Sequence, residues 1–184
     1  MSVVVVVSGP PCSGKSTLAV ELVGRCGWPL LAKDDYKERV FRELGARDRD
    51  WSRRVSALAW DLLFAEAERL VRARVDCLLD GNFRSAQAPG VSALAAQGAR
   101  LVEVACTADP RALLERFQRR IREGSRHPGH VDREALPDVE REFLAPAPRL
   151  VPADAPRLLC DTSGPVDVAA LASRIEDLVA AARR

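Results

Sequence analysis

Aromatic side chains are scarce. At 5% of 184 residues they leave few platforms on which single-stranded bases could stack. Neither sign of charge is in excess: 28 Lys and Arg stand against 26 Asp and Glu, and a net +2 is too small to be a nucleic-acid footprint by itself. No apolar run approaches the length of a membrane span, and no basic region precedes the N-terminal valines, so neither a spanning helix nor a signal peptide is expected. Cysteines occur at 12, 26, 77, 106 and 160, an odd number without a C-x-x-C. That argues against a disulfide framework or a zinc site and for free thiols in a reducing compartment, the cytoplasm. His127 and His130 are the only histidines, and without a thiol or acidic partner to complete a ligand set they are not read as a metal site. Lysine is confined to Lys15, Lys33 and Lys37, in a chain that otherwise writes its basic residues as arginine.

What is present begins with 47% apolar and 29% charged residues, an ordinary soluble globular balance, and a length suited to one domain over residues 1–184. A β-branched run at residues 3–7 reads as a strand buried on both faces. Directly behind it, Gly9, Pro10, Pro11, Cys12, Ser13, Gly14, Lys15, Ser16 and Thr17 fit G-x-x-x-x-G-K-S/T without a mismatch, and residues 17–26 read as the helix that follows. Gly9 and Gly14 permit the tight turn that converges backbone N–H groups on phosphate oxygens, and the helix presents its positive end to the same anion. Lys15 then reaches the β- and γ-phosphates, and the Ser16 hydroxyl takes a place on Mg²⁺. This pattern predicts binding of a nucleoside triphosphate. Cys12 is a small residue at a variable loop position or, in so electropositive a loop, an oxidisable thiol.

Further strands are expected at residues 28–32, 75–79, 101–106 and 158–160, alternating with helices at 36–44, 51–74, 111–123, 132–144 and 166–182 and a weak one after Pro89-Gly90. Pro137 is expected to kink or split the helix at 132–144. Such alternation implies a parallel sheet covered on both faces, with ligands beyond the carboxyl ends of the strands. At those ends stand Lys33-Asp34-Asp35 and Asp80-Gly81-Asn82. Asp35 is the chosen base for an acceptor hydroxyl, with Asp34 as cap of a helix beginning at Tyr36; both could equally be turn residues. Asp80 is the acidic residue expected to orient Mg²⁺ through water, and Asn82 is a turn residue or a substrate contact. Arg116 and Arg120, at i and i+4, share a helix face. They form either a solvated stripe or part of a lid at about residues 116–132 that clamps the transferring group.

These residues resemble the P-loop kinases of the nucleoside-monophosphate-kinase type, most nearly the kinase domain of polynucleotide kinases and the small bacterial kinases related to it. The GxPxSGKST loop matches residues 9–17, the R/K-D-D-Y segment matches residues 33–36, D-x-N matches Asp80 and Asn82, and the lid R-x-x-x-R matches Arg116 and Arg120. The resemblance implies a three-layer α/β/α P-loop NTPase fold with a five-stranded parallel sheet and a helical lid. It implies ATP and Mg²⁺ as cofactors, and γ-phosphate transfer to a hydroxyl with Asp35, the second Asp, as general base. The chain has no room for the phosphatase domain often fused to polynucleotide kinases, and it lacks a basic, aromatic-rich groove. A small acceptor such as a sugar, nucleoside or antibiotic is therefore placed ahead of a 5′-hydroxyl nucleic-acid end. The competing class is a nucleotide-dependent ATPase or switch that transfers phosphate only to water.

Overall fold

The computed structural model describes residues 1–183. Its organising strand is β1 (Val3–Ser8), whose valines are at most 1% exposed and alternate between two cores. Val3, Val5 and Val7 face α1 (Lys15–Cys26) and α7 (Val168–Arg183), meeting Leu18, Leu22 and Ile175. Val4 and Val6 face α3 (Arg49–Arg72) and α4 (Ala88–Ala96), meeting Leu63, Ala67, Val91 and Leu94. A strand buried on both faces needs β-branched residues at every position, and each such valine contributes roughly 1.5–3 kcal/mol of burial.

The sheet holds five parallel strands in the order β2-β3-β1-β4-β5, with β2 (Leu30–Ala32), β3 (Cys77–Asp80), β4 (Arg100–Thr107) and β5 (Arg157–Asp161). Helices on both faces make this the expected three-layer α/β/α P-loop NTPase fold. β2 does not touch β1, because β3 lies between them. Register nevertheless sets Asp80 against both Val7 and Ala32, which brings the carboxyl ends of all three strands level.

Two further helices build a small third core away from the sheet. α5 (Pro110–Glu123) and α6 (Asp132–Phe143) meet through Leu113, Phe117, Val139 and Phe143. α6 runs through Pro137 unbroken. The ring lies on an exposed stretch, where water can bond the carbonyl left without its N–H partner. α4 likewise begins at Ala88, taking Pro89 into its first turn, where a missing N–H is no loss. α2 (Lys33–Leu44) starts directly at the end of β2, three residues before the expected Tyr36. That early start decides which residues face the site.

Candidate active site

The phosphate-binding loop leaves β1 at Gly9, whose φ of 147° suits only glycine. A Cβ there would also lie 2.6 Å from the Cys106 carbonyl and 2.7 Å from Ser13 Oγ. Gly14 caps α1 in the left-handed conformation without any side-chain bond. The N–H groups of Lys15, Ser16 and Thr17 therefore have no partner within the helix and stand open to an anion. Among the described residues Ser13 Oγ is buried without a hydrogen-bond partner, and Lys15 Nζ bonds the Pro10 carbonyl at 3.3 Å. Two groups hold the loop's carbonyls. Thr162 Oγ1 donates to Ser13 O at 2.7 Å, and Arg116 donates to Cys12 O at 3.4 Å and Thr162 O at 3.1 Å.

Asp80, 6% exposed, closes β3 beside this loop, with the Ser16 hydroxyl next to its carboxylate. Burial pushes its pKa up, against the pull of Lys15 and of the Ser16 hydroxyl, and its Oδ1 has no hydrogen-bond partner among the described residues. No group of three or more His, Cys, Asp or Glu among the described residues could hold a metal unaided. An orphaned carboxylate oxygen beside a hydroxyl fits instead a magnesium ion that takes most of its ligands from nucleotide phosphates and water.

α2 supplies the opposing wall. Lys33, Lys37 and Phe41 are its buried positions, and Lys33, Asp34 and Lys37 line the cleft together with Lys15, Ser16 and Asp80. Asp35 is not brought there. It is exposed and absent from the lining, because each helical residue turns the face by about 100°. Asp34 is the aspartate of this pair that lines the cleft. Burial raises its pKa, but the Arg126 guanidinium and Lys33 outweigh that and hold the carboxyl far below the usual carboxylate range. Lys33 Nζ lies 3.2 Å from Asp34 Oδ1, and Arg126 pairs with Oδ2.

The segment expected to act as a lid comprises the end of α5, the residues to 131 and the start of α6. Arg120 lines the cleft, stacked 4.6 Å over the Phe117 ring and ion-paired with Asp132 at 2.9 Å. Arg126 bonds Asp132 at 3.0 Å as well as Asp34, so one guanidinium ties the lid to α2. Arg116, expected beside Arg120 as a clamp, is absent from the cleft lining, and its guanidinium donates to the Cys12 and Thr162 carbonyls. Gly129 packs on the face of Phe41, where a Cβ would come within 2.5 Å of the ring. His127 stacks on the same ring at 5.4 Å. Burial, with Arg126 close by, pushes His130 down to about 2, so the neutral ring donates from Nε2 to Glu38 Oε1 at 3.0 Å. The histidines thus anchor the lid segment to α2.

The sequence model of a family described as an AAA domain, AAA_33, matches residues 4–146. The chain belongs to that family. Among curated proteins none matches it. Among solved structures, a proposed kinase from Chloroflexus aurantiacus is 31% identical, with a TM-score of 0.85 over 96% of this chain and 97% of that one. A gluconokinase from Sinorhizobium meliloti (20% identical, TM-score 0.55, 96% and 97% covered) shares the fold. So does a shikimate kinase from Acinetobacter baumannii (18%, 0.54, 98% and 94%). The AAA_33 chain is thus a nucleotide-binding P-loop protein of kinase-like fold. No helix among its described residues is long and apolar enough to cross a membrane.

Sequence reasoning missed Asp34, Lys37, Arg126 and Asp132 as cleft groups of this AAA_33 chain. A signal for Lys37 was present: the i, i+4, i+8 spacing of Lys33, Lys37 and Phe41 marks one helix face if the helix begins at Lys33. Arg126 and Asp132 carried no such signal, because a lid segment without periodicity places them.

Proposed function

We propose that the protein is an ATP-dependent kinase that transfers the γ-phosphoryl group to an alcohol hydroxyl of a small molecule. The supporting observation is one cleft of about 940 Å³ that gathers an open helix N-terminus with Lys15, the Ser16–Asp80 pair and the Asp34 carboxylate. The N–H groups of α1 and Lys15 bind the phosphates. Ser16 and Asp80 are the residues that would hold magnesium, which when bound supplies positive charge on the β- and γ-phosphate oxygens. Asp34 accepts the proton of the acceptor hydroxyl, and Lys33 orients it. Arg126 and Arg120 present positive charge where the transferred group gathers negative charge. A loose transition state asks more of the base's orientation than of its strength. As Arg126 turns from Asp34 toward the phosphoryl group, the carboxylate recovers basicity.

An ATPase or switch needs no carboxylate at this wall, and that difference supplies the test. Asp34→Asn and Asp35→Asn are compared for Mg·ATP affinity and for ADP release stimulated by a panel of sugars, sugar acids, nucleosides and aminoglycosides. Asp34→Asn is expected to bind ATP normally and lose about 10²- to 10⁴-fold in acceptor-dependent turnover, while Asp35→Asn keeps both. Loss of turnover in Asp35→Asn alone would restore the sequence-based choice of base. Acceptor-independent ADP release in every variant would leave a P-loop ATPase.

A further inference from the structure

The cations of the cleft are almost all matched to carboxylates. Arg49 pairs with Asp138, Arg84 with Glu142, Arg120 with Asp132, Arg126 with Asp34 and Asp132, and Lys33 with Asp34. Lys37 is different. It is 6% exposed, lines the cleft, and forms no ion pair among the described residues. Of its three N–H donors one goes to Ser52 Oγ at 2.8 Å, and its charge lies 5.3 Å from the Phe41 ring centroid. An ammonium taken from water without a carboxylate is destabilising unless something supplies the missing partner.

The surroundings are built to hold this ammonium in place. Lys33 stands one turn earlier on α2, is also buried, and donates to Ser56 Oγ at 2.8 Å. Lys33 and Lys37 on α2 thus meet Ser56 and Ser52 on α3, each pair at i, i+4 spacing, in a two-rung ladder. Each serine oxygen accepts from a lysine, which leaves each hydroxyl proton to be donated to a third group. The wall is therefore rich in donors: two remaining N–H groups of Lys37 and the hydroxyls of Ser52 and Ser56. A ligand carrying several acceptor oxygens and a negative charge satisfies both the donors and the unpaired ammonium, whereas a neutral polyol leaves that charge unmatched. Lysine rather than arginine at both rungs, in a chain that otherwise prefers arginine, suits a compact charge in a narrow space.

Building on the kinase reading, we infer that the phosphate acceptor carries an oxyanion of its own, a carboxylate or a phosphate, bound by Lys37, Ser52 and Ser56 on the α2–α3 wall. The hydroxyl to be phosphorylated and the anion that anchors it then meet successive turns of α2, the hydroxyl at Asp34 and the anion at Lys37.

The test reads binding and needs no turnover. The phosphate-binding loop of the full chain is first filled with a saturating, non-hydrolysable Mg·ATP analogue. Inorganic phosphate and acetate are then titrated separately by calorimetry into the wild type, Lys37→Met, Lys37→Gln and Arg141→Met. Arg141 is a control cation on the cleft rim, 76% exposed. One of the two anions is expected to bind the loaded wild type. Its affinity should fall at least tenfold in both Lys37 variants and stay within about twofold in Arg141→Met. Binding of phosphate points to a phosphorylated acceptor, and binding of acetate to an acid. If neither anion binds the loaded wild type, or if folded Lys37 variants bind it equally well, the inference is wrong. Anion binding without any organic phosphorylation would overturn the kinase reading alone, whereas phosphorylation of neutral acceptors with a KM indifferent to Lys37→Met would overturn only this inference.

Discussion

Asp34 and Asp35 are adjacent in sequence and about 100° apart around α2, and that angle separates a cleft carboxylate from a solvated one. The choice of Asp35 from sequence has a physical origin. Asp is a favoured N-cap, so Asp34 read as the cap of a helix beginning at Tyr36. The helix instead begins at Lys33 after Ala32, which offers no side-chain cap, and both aspartates lie in its first turn, where they complement the helix dipole. Lys37 shows the converse: a residue that reads as solvated helix surface is buried. Burial lowers its pKa to about 7, with the neighbouring charge of Lys33 adding to the effect. Between about 7 and the ordinary 10.5 the unfolded chain binds more protons than the folded one, so this residue's contribution makes stability rise with pH across that window. Below about 7 the penalty is present in full. Lys37→Met is therefore expected to stabilise the ligand-free protein at pH 6 by on the order of 3–5 kcal/mol, with the gain vanishing above pH ~10.5. Urea midpoints of both proteins at pH 6, 8 and 10 check this. A pH-independent difference would mean that the ammonium is not under strain.

At the scale of elements, α5 carries two arginines one turn apart with different tasks. Arg116 bonds the carbonyls of Cys12 and Thr162 and so shapes the phosphate loop, whereas Arg120 faces the cleft from the lid. Arg116→Ala is expected to weaken Mg·ATP binding by about 1.5–3 kcal/mol, the range of hydrogen bonds to charged groups, with kcat at saturation changing little. Arg120→Ala should show the opposite split, a fall in kcat with ATP affinity nearly kept. Calorimetry with an ATP analogue and steady-state kinetics separate the two, and a common pattern for both variants would make α5 a single unit. The sequence allowed both arginines to be placed on one helix face. It could not assign their partners, since Cys12 and Thr162 are 104 and 46 residues away from Arg116. The lid segment was legible only as a break in periodicity. Its docking on Phe41 depends on a glycine meeting a ring across more than eighty residues of chain.

At the scale of the whole molecule, the layers were legible and the strand order was not. A run of five valines can only be a strand covered on both faces, and alternation with helices makes the sheet parallel. Periodicity does not encode that β3 lies between β1 and β2, because either order buries the same side chains. The order matters for the proposed function: it sets Asp80 between the phosphate loop and the head of α2, on one cleft that the nucleotide and the proposed acceptor would share. Whether phosphate passes between those two ligands is the central claim, and ³¹P NMR of the reaction products tests it most directly. Wild-type protein and Asp34→Asn are incubated with Mg·ATP and pooled hydroxy acids, sugar phosphates, sugars, nucleosides and aminoglycosides. The wild type is expected to give an organic phosphate ester alongside ADP, and Asp34→Asn to give it about 10²- to 10⁴-fold more slowly at unchanged ATP affinity. Inorganic phosphate as the sole product of the wild type, or ester formation at an equal rate in Asp34→Asn, would contradict the assignment.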